Sequence, residues 1–448
     1  MPKSRITRRR FVAGTTAAAT TMIAAPYVRT AHAAGSLSVG LWDHWVPGAN
    51  DASTKIVNEW AEKEKVDVKI DYITSQGGKL LLTSAAEALA KSGHDILQMS
   101  NWLPSEHARL LEPVDSVVKA LEAKYGPANP AVEYFGKPEG VWRAVPTTRA
   151  TITYAMASRI DLLKQHAGID VTAMYPAGKP ANQALAEAWT YDAFLSAAEK
   201  CQKAGFPFGL PLGTTGDSVQ WVGTVFRAFG AMLVDAKGNI TIKSDNVRQV
   251  MDYMRRLVAF LPPEVFAWDD ASNNKWLVSG KGALIMNPPS AWAVAKRDAP
   301  KIAEQIWHHP WPKGPSGRFI PLTCNYLGLW SFAKNKPAAL SLLHHISSRE
   351  SAERLVIASQ GFDLATFDSF ADFKTWREQG PPVGTLSHYP NSGDQQYAMA
   401  AQPAPAAIAQ QIYSQALMPR MIGRVVQGGA SIEATIDWAS KELEGYMR

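Results

Sequence analysis

Trp42-Asp43-His44-Trp45, Asn101-Trp102, Trp268-Asp269-Asp270, Asn287 with Trp292, and Asn325-Tyr326 each set an aromatic ring beside a hydrogen-bonding side chain, where the chain is expected to leave a strand or enter a turn. That pairing has a definite chemistry. The apolar faces of a solute pack on aromatic rings, while its polar groups need protein donors and acceptors in place of water, or the desolvation cost is not recovered. The same rings also fill cores, since tryptophan is mostly buried in any large protein. Each candidate is therefore weighed against a packing role, and Trp60, Trp189, Trp276 and Trp438, which fall within helical patterns, are assigned to packing.

Bond-breaking chemistry is poorly served by this sequence. The histidine pairs His308-His309 and His344-His345 are adjacent. Neighbours on a strand point to opposite faces and neighbours on a helix diverge by about 100°, so neither pair chelates one metal well. Serine-hydrolase elbow, zinc-protease, Walker and dinucleotide patterns are absent. Gly280-Lys281-Gly282 lacks the upstream glycine and the following Ser or Thr of a phosphate loop and reads as a tight turn before a strand. Asp269 and Asp270 are adjacent, whereas the two carboxyls of a glycosidase stand about 5–9 Å apart across the bond they cleave. No cofactor and no metal is expected. A secreted carbohydrate-active enzyme is kept as the competing class, because fold alone does not settle function.

The elements that must carry these residues alternate. Residues 37–42 form a short apolar run, a helix is expected from about Ser53 with Ile56, Val57 and Trp60 on one face, and residues 66–72 alternate with period two. Residues 80–90 read as a helix and 95–99 as a third strand. Strand, helix, strand, helix, strand implies an α/β fold with a parallel sheet flanked by helices. Ligands of such sheets sit beyond the carboxyl ends of the strands, which singles out Asp43, His44 and Trp45, then Asn101 and Trp102. A second such stretch follows Pro146: a strand over residues 151–156, a helix capped by Thr190 that buries Phe194, Ala197, Ala198 and Cys201, a helix capped by Ser244, and a strand over residues 283–286 ending at Asn287-Pro288-Pro289-Ser290. Residues 380–407, rich in Pro, Gln, Ser and Ala, are expected as a long surface loop pinned by Tyr389 and Tyr397.

The basic balance of the chain is a local feature. Thr7-Arg8-Arg9-Arg10-Phe11-Val12, a mildly apolar stretch over residues 11–28 and a small-residue site at Ala31-His32-Ala33 together resemble a bacterial twin-arginine signal peptide, cleaved near Ala33. Gly14, Pro26 and the threonines make that stretch too weak for a transmembrane span. Six of the 46 basic residues, Lys3, Arg5, Arg8, Arg9, Arg10 and Arg29, lie in it with no acid, so the formal charge of +6 falls to a balance of 40 against 40 once it is removed. A neutral working protein gives no support for nucleic-acid or anionic-membrane binding. The remaining 415 residues exceed one compact core and suggest two domains. Cys201 and Cys324 are the only cysteines; an oxidising compartment permits one bridge, and sequence does not show whether they meet.

Residues 95–102, 110–115 and 140–146, then Trp189-Thr190-Tyr191-Asp192, Phe229-Gly230, residues 235–239 and 278–286, the helix start at Lys336-Pro337-Ala338, and Gly428-Gly429-Ala430-Ser431 occur in an order that resembles the sugar-type extracellular solute-binding proteins of bacterial ABC importers. The resemblance covers essentially all of residues 34–448 and departs at Thr147-Thr148-Arg149, where relatives are small or glycine-rich. It implies a two-lobe periplasmic binding protein fold of the maltose-binding class, each lobe a sheet flanked by helices and joined by a multi-segment hinge. Lobe 1 would take residues 34–146 and about 324–346, and lobe 2 residues 147–323 and about 347–448. It further implies a monomeric periplasmic receptor that delivers a sugar, oligosaccharide or polyol from the interlobe cleft to the permease. The ligand-binding residues would then be Trp42, Asp43, His44, Trp45, Asn101, Trp102, Arg149, Trp221, Trp268, Asp269, Asn287, Trp292, Asn325 and Tyr326. Trp221 enters because it follows Gly213-Thr214-Thr215-Gly216-Asp217, a loop that faces the cleft in relatives. Arg149 enters because a guanidinium just past the hinge would fork to hydroxyls, or pair with a carboxylate or phosphate if the solute is anionic; a salt bridge between lobes is the structural alternative. Trp102 is expected on the solute side, so that its removal weakens binding more than stability.

Overall fold

The computed structural model describes residues 35–390 and 392–447; the expected export segment, residues 1–33, lies outside the described residues. β1 (Gly35–Trp42) and β2 (Val66–Ile73) run parallel over their full length, and β1 also pairs in parallel with β3 (Ile96–Ser100). The two crossover helices, Ala49–Glu64 and Lys79–Ala90, cover the sheet. The first begins four residues before the expected Ser53, because Gly48 in the left-handed region (φ 91°) turns the chain early, and it buries the expected Ile56, Val57 and Trp60.

Past the third strand the sequence reading needs revision. Residues 151–156, expected as one strand, are the junction of two: β4 (Val145–Thr153) and β5 (Ala155–Arg159), with Tyr154 between. β5 is the centre of a second, antiparallel sheet between β6 (Leu284–Asn287) and β7 (Ile306–His309). A hairpin from β8 (Lys313–Gly314) leads into β9 (Gly317–Leu329), which pairs antiparallel with β3 and β4 in the first sheet, while β10 (Gln396–Ala398) adds in parallel at its start. Strand order in the first sheet is therefore β10-β9-β3-β1-β2, with β4 and β8 also on β9.

The long strands β4 and β9 carry the chain from one layer to the other. Residues 359–366 cross beside them, with the Leu364 amide donating to Thr151 O at 2.8 Å. The return of the chain to the first lobe runs further than residue 346. Ser348 caps a second helix, Arg349–Ala358, whose Leu355 and Val356 are buried and whose Arg354 pairs with Glu59 at 2.7 Å on the helix Ala49–Glu64. Residues 380–407 run largely as turns with exposed positions such as Val383 and Asp394, pinned as expected by Tyr389, whose hydroxyl donates to Phe362 O at 2.6 Å; Leu386 is buried as well, and Thr385 Oγ1 donates to Ile306 O at 2.7 Å. Cys201 and Cys324 are buried and unbridged, and burial pushes their thiols up to about 11 and about 12. Among the described residues no helix is long and apolar enough to cross a membrane.

Between the pairs Thr147–Asn325 and Ile152–Thr323, the four residues 148–151 of β4 stand against Cys324 alone. Such a bulge leaves backbone groups without ladder partners, and buried groups of that kind must be matched elsewhere. Ala150, at φ 61°, donates its amide to Asp363 Oδ1 at 2.8 Å, and its carbonyl accepts from Asn325 Nδ2 at 2.6 Å. Asp363 Oδ1 also meets His44 Nε2 at 3.1 Å. Because the Val46 amide donates to His44 Nδ1 at 2.9 Å, the ring proton sits on Nε2 and points at Asp363. Burial lowers the His44 pKa despite Asp363, so the imidazole is neutral here.

Arg149 occupies the same bulge and is 1% exposed. Its guanidinium donates to Trp42 O at 2.6 Å, Asn50 Oδ1 at 2.5 Å, Ser53 Oγ at 2.5 Å and Ala49 O at 3.3 Å, and lies over the Tyr72 ring. It is thus committed to the end of β1 and the start of the following helix, and makes neither the expected fork to a solute nor a salt bridge between lobes. Removing either hinge group leaves buried partners unmatched at about 1–3 kcal/mol each. Arg149→Ala and Asp363→Ala should each lower the free energy of urea unfolding by about 3 kcal/mol or more. An Arg149→Ala protein of unchanged unfolding midpoint that has lost solute binding would restore Arg149 to the solute.

Candidate functional site

Two adjoining cavities, of about 500 and about 170 Å³, lie between the lobes and share Ser75, Leu80, Ser100, Gly216, Asp270 and Tyr413. Their size suits a small solute. From the first lobe they are lined by Trp42 and Trp45 after β1, residues 75–78 after β2, and Ser100 and Asn101 at the end of β3. These are the carboxyl ends of three parallel strands, where the dipoles and free turns of an α/β sheet converge. The hinge supplies the floor, with Ala150, Ile152, Tyr154, Thr323, Asn325 and Phe362.

The second lobe supplies the facing wall. Thr215 Oγ1 caps the helix Gly216–Ala228 by accepting from the Ser218 amide at 3.3 Å, which sets Asp217 in the first helical turn at the cavity. Gly213 is needed where this loop passes Trp268: a Cβ there would collide with the Trp268 carbonyl oxygen. Trp268, Asp269 and Asp270 follow, with Trp268 packed on Trp276 at 5.3 Å. Asp269 lies at the exposed rim, where Oδ1 accepts from Ser272 Oγ at 2.6 Å. Asn274, Asn287 and Ser290 close the inner end, and Gln410 and Tyr413 of the helix Ala406–Ser414 close the outer one.

Asp217 and Asp270 form the electrostatic centre of this wall. The Asp217 amide donates to Asp270 Oδ1 at 3.3 Å, and Asp217 Oδ2 accepts from Asn273 Nδ2 at 3.1 Å. Burial first, and the Asp270 charge second, push the Asp217 carboxyl well above the usual carboxylate range, while its bonds to Asn273 and Tyr154 pull the other way. Burial likewise raises Asp270. Burial thus favours the protonated form of both carboxyls.

Of the residues expected at the site, Trp42, Trp45, Asn101, Trp268, Asp269, Asn287 and Asn325 line these cavities. The others do not. Asp43 is exposed and accepts from Asn50 Nδ2 at 2.7 Å; His44 and Arg149 belong to the hinge. Trp102 is 1% exposed, edge-on to Phe135 at 4.9 Å and tilted against Tyr413 at 5.4 Å, so it supports the wall from behind. Trp221 donates to Pro211 O at 2.5 Å, Trp292 to Pro381 O at 2.7 Å and the Tyr326 hydroxyl to Val132 O at 2.6 Å, all inside the lobes. The residues that local reasoning missed are Tyr154, Asp217, Asn274, Phe362, Gln410 and Tyr413. Asp217 had a signal, as the last residue of the Gly213 loop; Tyr413 had none, because it lies on a helix almost 200 residues further on. Among the described residues no group of three His, Cys, Asp or Glu is placed to hold a metal ion, and His308 and His309 are buried on β7 with pKa values pushed down to about 3.

Residues 47–353 match the family model for bacterial extracellular solute-binding proteins. No sequence among the curated proteins matches the chain. Among solved structures, the maltose-bound MalE3 of T. maritima is 18% identical, with a TM-score of 0.74 over 92% of this chain and 99% of that one. An ABC transporter solute-binding protein from Thermotoga lettingae bound with α-D-tagatose is 16% identical, with a TM-score of 0.73 over 92% and 100%. Another from Agrobacterium radiobacter K84, in complex with ribitol, is 17% identical, with a TM-score of 0.69 over 92% and 98%. At these identities the likeness is one of fold, two α/β lobes about a cleft, and together with the family match over more than two thirds of the sequence it means that the chain belongs to the bacterial extracellular solute-binding proteins.

Proposed function

We propose that the protein is the exported, monomeric solute receptor of a bacterial ABC importer, taking a sugar or polyol between its lobes and presenting it to the permease. One observation carries this reading: among the described residues the cleft is walled by aromatic rings, amides, hydroxyls and carboxylates, and no Lys, Arg or His lines it. Rings match the C–H faces of a polyhydroxylated solute, and amides and carboxylates match its hydroxyls. A carboxylate or phosphate ligand would meet Asp217, Asp269 and Asp270 with no counter-charge, which counts against the anionic alternative. Structurally similar proteins are bound to maltose, α-D-tagatose and ribitol, ligands of the same chemistry.

Turnover is disfavoured by the same geometry. Asp217 and Asp270 are neighbours on one wall, joined through a backbone hydrogen bond, and do not flank a bond from opposite sides as a glycosidase requires. Binding instead favours whichever arrangement of the two lobes makes contacts from both, and the crossing strands β4 and β9 are where such a change would pivot. Folded export to the periplasm through Arg8 and Arg9 completes the reading.

A thermal-shift screen of residues 34–448 against mono- and oligosaccharides, polyols, carboxylates and phosphates should give shifts with the first three classes; a shift with anionic solutes alone would sink the reading, as would steady hydrolysis of a glycoside. Trp45→Ala, at a half-buried cavity position, should weaken solute binding about tenfold or more with little change in unfolding midpoint. Trp102→Ala should do the reverse, costing about 3 kcal/mol of stability as a buried indole. Changing Arg8 and Arg9 to Lys should leave the full-length precursor in the cytoplasm of its bacterial host, and continued export of the folded protein would remove the twin-arginine route.

A further inference from the structure

Asp217 and Asp270 bring two carboxyls to one wall of the cleft with no cation beside them. Both line the cavity, Asp217 buried and Asp270 half-buried, and they touch through the Asp217 amide. Two carboxylates so placed repel each other and lose hydration, a cost that proteins usually offset with Lys or Arg. Among the described residues neither Asp217 nor Asp270 belongs to any ion pair, and no basic side chain lines the cavities. The groups that face the pair are Asn273, Thr215, Tyr154, Tyr413 and the rim carboxylate Asp269, none of them a cation. The missing positive charge has one remaining source besides a proton, which is the solute.

The surroundings suit an ammonium group. Trp42, Tyr154 and Tyr413 line the same inner cavity as Asp217 and Asp270, and the faces of such rings attract a cation as well as C–H groups. Asn101 lines the outer cavity beside Asp270, its buried amide standing by the Tyr413 hydroxyl. Resting on the reading of the cleft as a polyhydroxyl site, we propose that the preferred solute is a polyhydroxylated amine, an amino sugar, amino polyol or iminosugar, whose ammonium group is held by the Asp217 and Asp270 carboxylates while its hydroxyls are matched by the amides around them. Because burial favours the protonated carboxyls, protons compete with such a cation, and affinity for it rises with pH as Asp217 and Asp270 ionise.

Calorimetry at pH 7 on the protein from residue 34 onward tests this with matched probes: sorbitol against 1-amino-1-deoxysorbitol, glucose against glucosamine and N-acetylglucosamine, and 1-deoxynojirimycin. At least one free amine should bind about tenfold or more tighter than its neutral counterpart, and acetylation should abolish the gain. Asp217→Asn and Asp270→Asn should each erase the amine preference, the free amine losing about tenfold or more in affinity beyond whatever its neutral partner loses. These variants also have a readout that needs no solute: removing an uncompensated buried charge should raise the unfolding midpoint of the unliganded protein at pH 7 to 8, with the difference from wild type shrinking towards pH 5 as the wild-type pair takes up protons. Neutral sugars binding as tightly as their amines would overturn the amine inference and leave the polyhydroxyl receptor standing. Response to calcium chloride but to no amine would overturn it in favour of a metal, and binding of no amine and no neutral sugar, with response to carboxylates or phosphates, would overturn both readings. A lower midpoint for both Asn variants at pH 8 would mean that the pair is already compensated, which also overturns it.

Discussion

The irregular step in the β4–β9 ladder is the constraint on which the rest of the molecule depends. Four residues face one at Cys324, in the buried strands that join the lobes, and the backbone groups left over must be matched elsewhere. Asp363 and Asn325 match the two backbone groups of Ala150 and the Leu364 amide matches Thr151 O, two of these three partners lying in the third crossing segment. The position of the lobes relative to each other is thus written in hydrogen bonds with directional requirements, while the layers on either side are held by apolar packing, which is tolerant of small displacements. Arg149 at the same time ties the bulge to the end of β1, from which Trp42 and Trp45 project, so the hinge and one wall of the cleft are built as a unit.

The cleft follows from that arrangement. Parallel strands β1, β2 and β3 present their carboxyl ends on one side, and a capped helix, a tight Gly213 turn and the Trp268 to Asp270 segment present theirs on the other. Rings come from both lobes but the carboxylates come from the second lobe alone. One wall of the cavities is therefore acidic, while both walls carry rings. It also explains why a fold shared at 18% identity with a maltose-bound protein need not share its solute, because the residues concerned sit in turns that the fold leaves free to vary.

Much of the fold was legible in local patterns. The alternation of residues 66–72, the helix caps at Thr190 and Ser244 and the apolar stripe of Ile56, Val57 and Trp60 are each decided by neighbours a few residues away, and the structure shows all of them. The errors share a cause. Residues 151–156 were expected as one strand because nothing local marks Tyr154 as the point of transfer between sheets, and how deeply Thr385 and Leu386 sit within the otherwise loop-like residues 380–407 is likewise set by distant contacts, with Ile306 among them. The site divided in the same way. Trp45 and Trp102 both follow a strand end beside a polar residue, yet one lines the cavity and the other is closed off by Phe135 and Tyr413.

By itself the sequence determined the element order, the segment with an export pattern, the neutral balance of the remaining chain and the stock of aromatic and amide residues, because each is a property of composition or short-range spacing. Tertiary structure alone decided which rings face the cleft, that Arg149 is a hinge residue, and that Asp217 and Asp270 become partners. Those outcomes depend on segments more than 50 residues apart arriving at one place. Periodicity along the chain carries no information about such meetings, since it records which face of an element is apolar and not what the opposite lobe will set against it.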